Sequence, residues 1–257
     1  MKKLLIFGAA LALVMGMTSC DDNHNGDNPN SDGPQIIHNA VKDYDGNKYD
    51  AVKIGKQVWM ASNLKTEHYA DGSEIPMAGN STYSETEPYR YCPDGNSQNV
   101  NYYGYLYNWP AVMHGSSSSE NNPSGVQGIC PKGWHVPSDA EWNELGVYVY
   151  NHPEQYGNSV AKALASNDGC WEESGTLGTP GCDQSSNNTT GFSAVPAGVY
   201  IGSYGNFGLF GDSAFFWSAT EYDDNSAWNR SLRGSVSGVA SGSPNKDLGF
   251  SVRCLRD

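Results

Sequence analysis

Residues Pro137–Val149, PSDAEWNELGVYV, carry the clearest local signal in the chain and decide how the rest is read. Ser138 stands where a helix cap belongs. Glu141, three residues on, can reach back to the cap's own amide, so two donors that a helix start leaves open are satisfied reciprocally. From Asp139 to about Tyr150, the residues Trp142, Leu145 and Val149 recur at helical spacing, the signature of one face packed on a core. A second, shorter helix is expected from Asn158 to Ser166, with Val160, Ala161 and Leu164 inward and Gly169 just beyond its end.

Upstream of these helices, Tyr49–Thr66 (YDAVKIGKQVWMASNLKT) alternates around Val52, Ile54 and Val58 and reads as a hairpin turning at Gly55–Lys56. Lys65–Val100 is polar and rich in Tyr, Pro, Asn and Gly, which predicts long loops held by aromatic packing. Tyr102–Met113 (YYGYLYNWPAVM) suits a buried turn and a short helix. Downstream, from Gly191, short apolar and aromatic bursts separated by Gly, Ser, Asn and Asp read as strands and turns. Helices in the middle and strands on both sides predict an α+β domain with antiparallel pairing, in which the final stretch GFSVRCL lies centrally.

At the N-terminus, Lys2 and Lys3 precede an apolar run from Leu4 to Met15, and Thr18–Ser19 lead into Cys20. This is the layout of a secretory signal. The run is shorter than the roughly 20 residues of a spanning helix, and Asp21–Asp22 follow at once. The four residues ending in Cys20 resemble a bacterial lipobox, with Met17 where leucine is more usual. Cys20 is therefore expected to carry the lipid, and residues 1–19 to be removed. Several acyl chains at about 0.8 kcal/mol per buried methylene anchor a protein to a membrane without spanning it. The acids after Cys20 resemble signals that send lipoproteins to the cell surface, so outer-membrane attachment with surface exposure is expected. Asp21–Pro34 contains no aliphatic or aromatic side chain and reads, with Cys20, as a tether over 20–34. The folded domain is expected over 35–257.

The whole chain has a formal charge of −13, and loss of Lys2 and Lys3 with the signal leaves 28 acids against 13 bases, or −15. Such a surface repels phosphate backbones, and nucleic acid is excluded as a partner. Apart from Cys20 the cysteines are Cys92, Cys130, Cys170, Cys182 and Cys254, an odd number in a compartment where disulfides persist. Cys170 and Cys182 bracket a polar loop, CWEESGTLGTPGC, whose closure is worth about 3 kcal/mol in the chain-entropy picture. That pair is the favoured one. Cys130 could then join Cys254, leaving Cys92 free or partnered elsewhere. No closely spaced Cys or His pair of zinc type occurs.

The stretches VKIGKQVWMASNLKT, YGYLYNWPAVM, GICPKGWHVPSDAEWNEL, TTGFSAVPAGVY, FFWSATEY and GFSVRCLRD occur in that order between Val52 and Asp257. Together they resemble the Fibrobacter succinogenes major paralogous domain, found in lipoproteins and surface proteins of Bacteroidetes-type bacteria. That family looks related to the C-type lectin-like fold and to formylglycine-generating enzymes through a similar stretch, here Gly133, Trp134, Pro137, Ser138, Glu141 and Trp142. The resemblance implies a compact C-type lectin-like core, two mid-chain helices packed on short antiparallel strands, with long loops. It also favours a Cys130–Cys254 bridge, since both positions belong to family motifs. The chain departs from the pattern after Cys92, where members often carry a second cysteine and Asn99, Val100 and Asn101 stand here.

The formylglycine-generating relatives use a redox-active cysteine pair near the C-terminal part of the domain, where this chain has only Cys254. The related iron-dependent sulfoxide synthases need a helical histidine cluster, whereas the six histidines here are scattered. His135 reads as a packed, hydrogen-bonded residue. No Gly-x-Ser-x-Gly elbow, zincin helix or phosphate loop occurs. The expectation is a non-catalytic, lipid-anchored binding module for a glycan or protein partner. The alternatives are an adhesive or accessory subunit of an envelope or pilus assembly and, behind it, an enzyme related to formylglycine generation. Trp59, Trp109, Trp134, Trp142 and Trp217 lie in the motifs and read as core. Trp171, Trp228 and Tyr222 are the candidate ligand contacts, with Tyr200 and Tyr204 beside them. No cofactor is implied. Calcium is the one ion considered, because Glu221, Asp223, Asp224 and Asn225 crowd one loop and Asp94 and Asn96 another. The sugar-site motifs of calcium-dependent lectins are missing, with only Ser243–Asn245 as a poor substitute, and no metal ligand is assigned.

Overall fold

The computed structural model describes residues 33–79 and 82–257, so the expected signal segment and Cys20 lie outside the described residues. In chain order, β1 (Gln35–Lys42) leads into the hairpin of β2 (Lys48–Ile54) and β3 (Gln57–Met60). Next come β4 (Arg90–Tyr91), the helical turn α1 (Val100–Tyr103), β5 (Leu106–Tyr107), α2 (Trp109–Met113) and β6 (Trp134–His135). The middle of the chain holds α3 (Asp139–Tyr150), α4 (Pro153–Tyr156) and α5 (Val160–Leu164). The last third is β7 (Val199–Ile201), β8 (Asn206–Gly208), β9 (Ser213–Glu221), β10 (Ala227–Arg233), β11 (Ala240–Gly242) and β12 (Leu255–Arg256).

The architecture is α+β. The largest sheet runs β1-β2-β3-β12-β6, a second runs β11-β10-β9, and β4–β5 and β7–β8 form two small pairs, with every named pairing antiparallel. The β2–β3 hairpin closes through Gly55–Lys56, with Ile54 opposite Gln57 and Gly55 at φ +61°. A two-residue turn needs that left-handed geometry, and here glycine is demanded twice over: a Cβ on Gly55 would stand 2.9 Å from the Tyr148 ring.

The capping box forms as its spacing predicts. Glu141 Oε2 accepts from the Ser138 amide at 2.9 Å, and Ser138 Oγ accepts from the Glu141 amide at 3.2 Å. Trp142, Leu145 and Val149 are buried. Trp142 packs 4.5 Å from Trp59 and 5.5 Å from Phe216, ring centre to ring centre, so the helix seals against the hairpin and β9 at once. The two larger apolar clusters divide here, with neighbours Ala51 and Val52 of β2 falling in different ones. Both faces of the hairpin are therefore covered, which is why Val58, Trp59 and Met60 are all buried rather than alternating. α5 is shorter than expected: Ser159 caps it and Ala165 is already extended, bridging to Ala194, so Asn158 and Ser166 fall outside.

The C-terminal segment runs through the middle of the molecule. Gly249, Phe250 and Ser251 bridge in turn to Tyr200, Tyr107 and Phe216, and Leu255 then pairs with both Trp59 and His135. Arg253 is fully buried in this segment without a carboxylate partner among the described residues. Burial pulls its proton affinity down to about 9, still leaving it charged at neutral pH. Nε donates to Asn63 Oδ1 at 2.7 Å, Nη1 to the carbonyls of Met60 and Phe192, and Nη2 to the Ser193 carbonyl at 2.7 Å. The guanidinium also stacks over Phe192 at 4.5 Å.

Cys130 and Cys254 form a disulfide. The favoured Cys170–Cys182 bridge is a correction: both are thiols, as is Cys92. Their loop is closed by polar contacts instead. Ser174 and Gly181 pair through the backbone at 3.1 Å, and the Gln184 amide clamps both main-chain groups of Trp171. The Cys170 sulfur lies 3.0 Å from Ser166 Oγ. Loop-closure entropy favours a bridge here only while no side chains close the loop without sulfur, as Gln184 does.

Candidate functional site

β10 presents alternate residues to opposite sides. Arg230 and Leu232 face the body of the domain, where Arg230 donates to Asp139 and, at 2.8 Å, to Asn143, and Leu232 joins the cluster around Trp142. Asn229, Ser231 and Arg233 face an open groove of about 660 Å³ between the three-stranded sheet and the β7–β8 pair. Its floor is apolar: Phe215 and Phe250, stacked at 4.9 Å, with Val199, Ile201 and Leu248. β11 contributes only Ala240, Ser241 and Gly242, so no large side chain fills the space. A Cβ on Gly242 would approach Asn229 Oδ1 to 2.9 Å.

The polar side chains of the groove are unused. Asn229 is 5 % exposed and Ser231 9 %, yet among the described residues neither side chain makes a hydrogen bond. Arg233 is exposed and has no ion-pair partner among them. Convergent polar groups over an apolar floor are what a binding site needs.

The structure places the expected ligand contacts elsewhere. Trp171 is 3 % exposed and belongs to the apolar core, and Tyr200, equally buried, stacks on Tyr91 at 3.9 Å; neither can meet a ligand. Both look loop-borne in sequence, but Tyr200 stands on β7 and Trp171 turns into the core. Tyr222 and the half-buried Trp228 form an edge-on pair at 5.1 Å at the far end of the β9–β10 hairpin, outside the groove. Tyr204 is exposed and also outside it. The five motif tryptophans are all buried. The groove's polar residues Asn229, Ser231 and Arg233 lie in SAWNRSLRG, where the only hint is a polar residue at every second position of a strand.

The acidic loop considered for calcium is committed internally. Glu221 accepts from the Lys246 ammonium, which also reaches the Asp224 carbonyl at 2.7 Å and lies over Trp109 at 4.8 Å. Asp223 Oδ1 accepts from the amides of Asn225 and Ser226. Lysine thus supplies the cation that these oxygens need. In the other loop, Asn96 caps a helical turn through the Gln98 amide, and Asp94 does not join it.

Cys92, Cys170 and His135 are not set up as nucleophiles or free bases. Burial pushes the Cys92 thiol up and the Cys170 thiol to about 12, whereas a reactive cysteine needs the opposite shift. His135 has both ring nitrogens engaged, Nε2 with Glu141 at 2.8 Å and Nδ1 with Asp257 at 2.7 Å. Burial alone would lower its pKa, but the hydrogen bonds and charges of the two carboxylates outweigh that and raise it. The stability this gives is fully present below the unfolded value near 6.5 and is lost as pH climbs through the higher folded value. Chemical denaturation across that window should show stability falling with pH, with a flatter dependence in His135→Asn; equal slopes in the two proteins would contradict the assignment.

A family model described as the Fibrobacter succinogenes major domain matches residues 52–256. No curated protein and no solved structure matches the chain.

Proposed function

Since the chain belongs to the Fibrobacter succinogenes major domain family, whose description specifies no chemistry, we propose from its groove that it is a non-catalytic binding module for a protein partner. Lipid at Cys20 would hold it to the outer membrane with the domain at the cell surface. The fold is read as a loop-rich C-type lectin-like variant, a reading supported by the Gly133-Trp134 stretch that leads into the helix capped by Ser138 and by the antiparallel sheets around it.

The observation that carries the reading is the apolar floor beneath unused polar groups. It favours protein over glycan, because Phe215 and Phe250 turn no exposed ring face outward for a sugar to stack on. A segment of a neighbouring subunit lying in the groove would serve an accessory role in an envelope assembly equally well. A second reading rests on the Tyr222–Trp228 pair, where Tyr222 is 57 % exposed: a small glycan platform at the hairpin end.

Full-length protein in detergent, probed with a random hexapeptide pool and with a glycan array, separates the two. Peptide binding should weaken at least tenfold in Ser231→Trp, which fills the groove, and be unchanged in Trp228→Ala. Glycan binding lost in Trp228→Ala and kept in Ser231→Trp would overturn the groove. A melting curve for each variant confirms that it is folded.

A further inference from the structure

We propose that the groove holds its partner as an extended chain whose carboxylate is gripped by Arg233, a specificity determinant that rests on the protein-binding reading above. Three observations carry this.

Spacing comes first. Asn229, Ser231 and Arg233 are alternate residues of β10, so they recur at about 6.5–7 Å along one line. An extended peptide repeats its same-face groups at that interval, so one running along β10 meets the amide, the hydroxyl and the guanidinium in register. A compact ligand would reach only one of the three.

Charge comes second. The chain carries 28 acids, yet no Asp or Glu lines the groove. Arg90 is paired with Glu67 and Arg230 with Asp139, whereas Arg233 has no carboxylate among the described residues. A planar fork of donors left open at the rim of an apolar trough is complementary to a carboxylate, which it binds through two parallel hydrogen bonds.

Desolvation comes third. Asn229 is more than nine-tenths buried and faces the groove with its amide unpartnered among the described residues. Its polar atoms still reach the trough, so whatever fills the trough must supply their partners or leave them desolvated at a cost. A peptide main chain offers both the donor and the acceptor that an amide needs. The ligand is thus anchored at Asn229, lies against the apolar lining at Ile201 and Leu248, and ends its contacts at Arg233.

The carboxylate can be a chain terminus or an Asp or Glu side chain, and the probes distinguish these. Full-length protein is titrated with three random hexapeptide pools: free acid, C-terminally amidated, and amidated without Asp or Glu. The expected result is binding of the free-acid pool that weakens about tenfold in Arg233→Gln and by more than half of that in 0.5 M salt. Loss on amidation assigns the chain terminus, and loss only in the acid-free pool assigns the side chain; either supports the inference. Equal binding of all three pools, unchanged in Arg233→Gln but abolished in Ser231→Trp, overturns the carboxylate while leaving the groove. Binding unaffected by Ser231→Trp overturns both. Arg233 is exposed, so its variant should melt with the parent.

Discussion

Cys254→Ser is expected to destabilise the domain by about 4–5 kcal/mol, and Cys130→Ser by the same amount. The bridge spans 124 residues of sequence, and in the chain-entropy picture closing a loop of that size restricts the unfolded chain by about that much. The tie also joins the segment before β6 to the C-terminal segment, which holds Met60 through the Cys254 carbonyl at 3.0 Å. Against a total stability of roughly 5–15 kcal/mol this is a large share. Denaturant unfolding with and without reductant checks it: reduction should lower the parent to the level of either variant and leave both variants unmoved. An unchanged parent under reductant would place the stability elsewhere. Since Cys92, Cys170 and Cys182 are thiols, no other bridge among the described residues confuses the comparison.

Arg253→Met is expected to be at least as damaging, about 4 kcal/mol or more. Two effects compete. A buried cation without a carboxylate is costly to desolvate, and exchanging whole buried ion pairs for apolar residues is often harmless. Here, however, the partners are the Asn63 side chain and the carbonyls of Met60, Phe192 and Ser193, and they remain after the exchange. Three buried acceptors and the half-buried Ser193 carbonyl lose their donor, at about 1–3 kcal/mol for each buried one, and that outweighs the relief of the charge. Lysine cannot rescue the position, because one ammonium cannot reach acceptors arranged around a planar fork. Melting of Arg253→Lys close to the parent would show that charge alone, and not the fork, is needed.

These two residues sit next to each other in a stretch whose centrality the sequence announced only as a buried, apolar run. The capping box, the α3 face, the Gly55 turn and the α+β order were legible because each is local: a cap reaches three residues, a helical face four, a hairpin turn two. The family motifs extended this to the Cys130–Cys254 bridge. Local rules gave out at the 170–182 loop, where spacing favoured a disulfide and Gln184 and Ser166 had already engaged the loop and the thiol.

For function the division is sharper. The amino-acid sequence by itself determined the acidic character, the family and the core tryptophans, since these depend on composition and on residues near in the chain. Only the tertiary structure decided that Trp171 and Tyr200 are interior, that Lys246 reaches the acidic loop, and that Asn229, Ser231 and Arg233 line one trough. A groove is the space left between elements distant in sequence, here β7, β9, β10, β11 and the turn before β12. No one of them records the space, because what makes it is the side chains that the other elements lack.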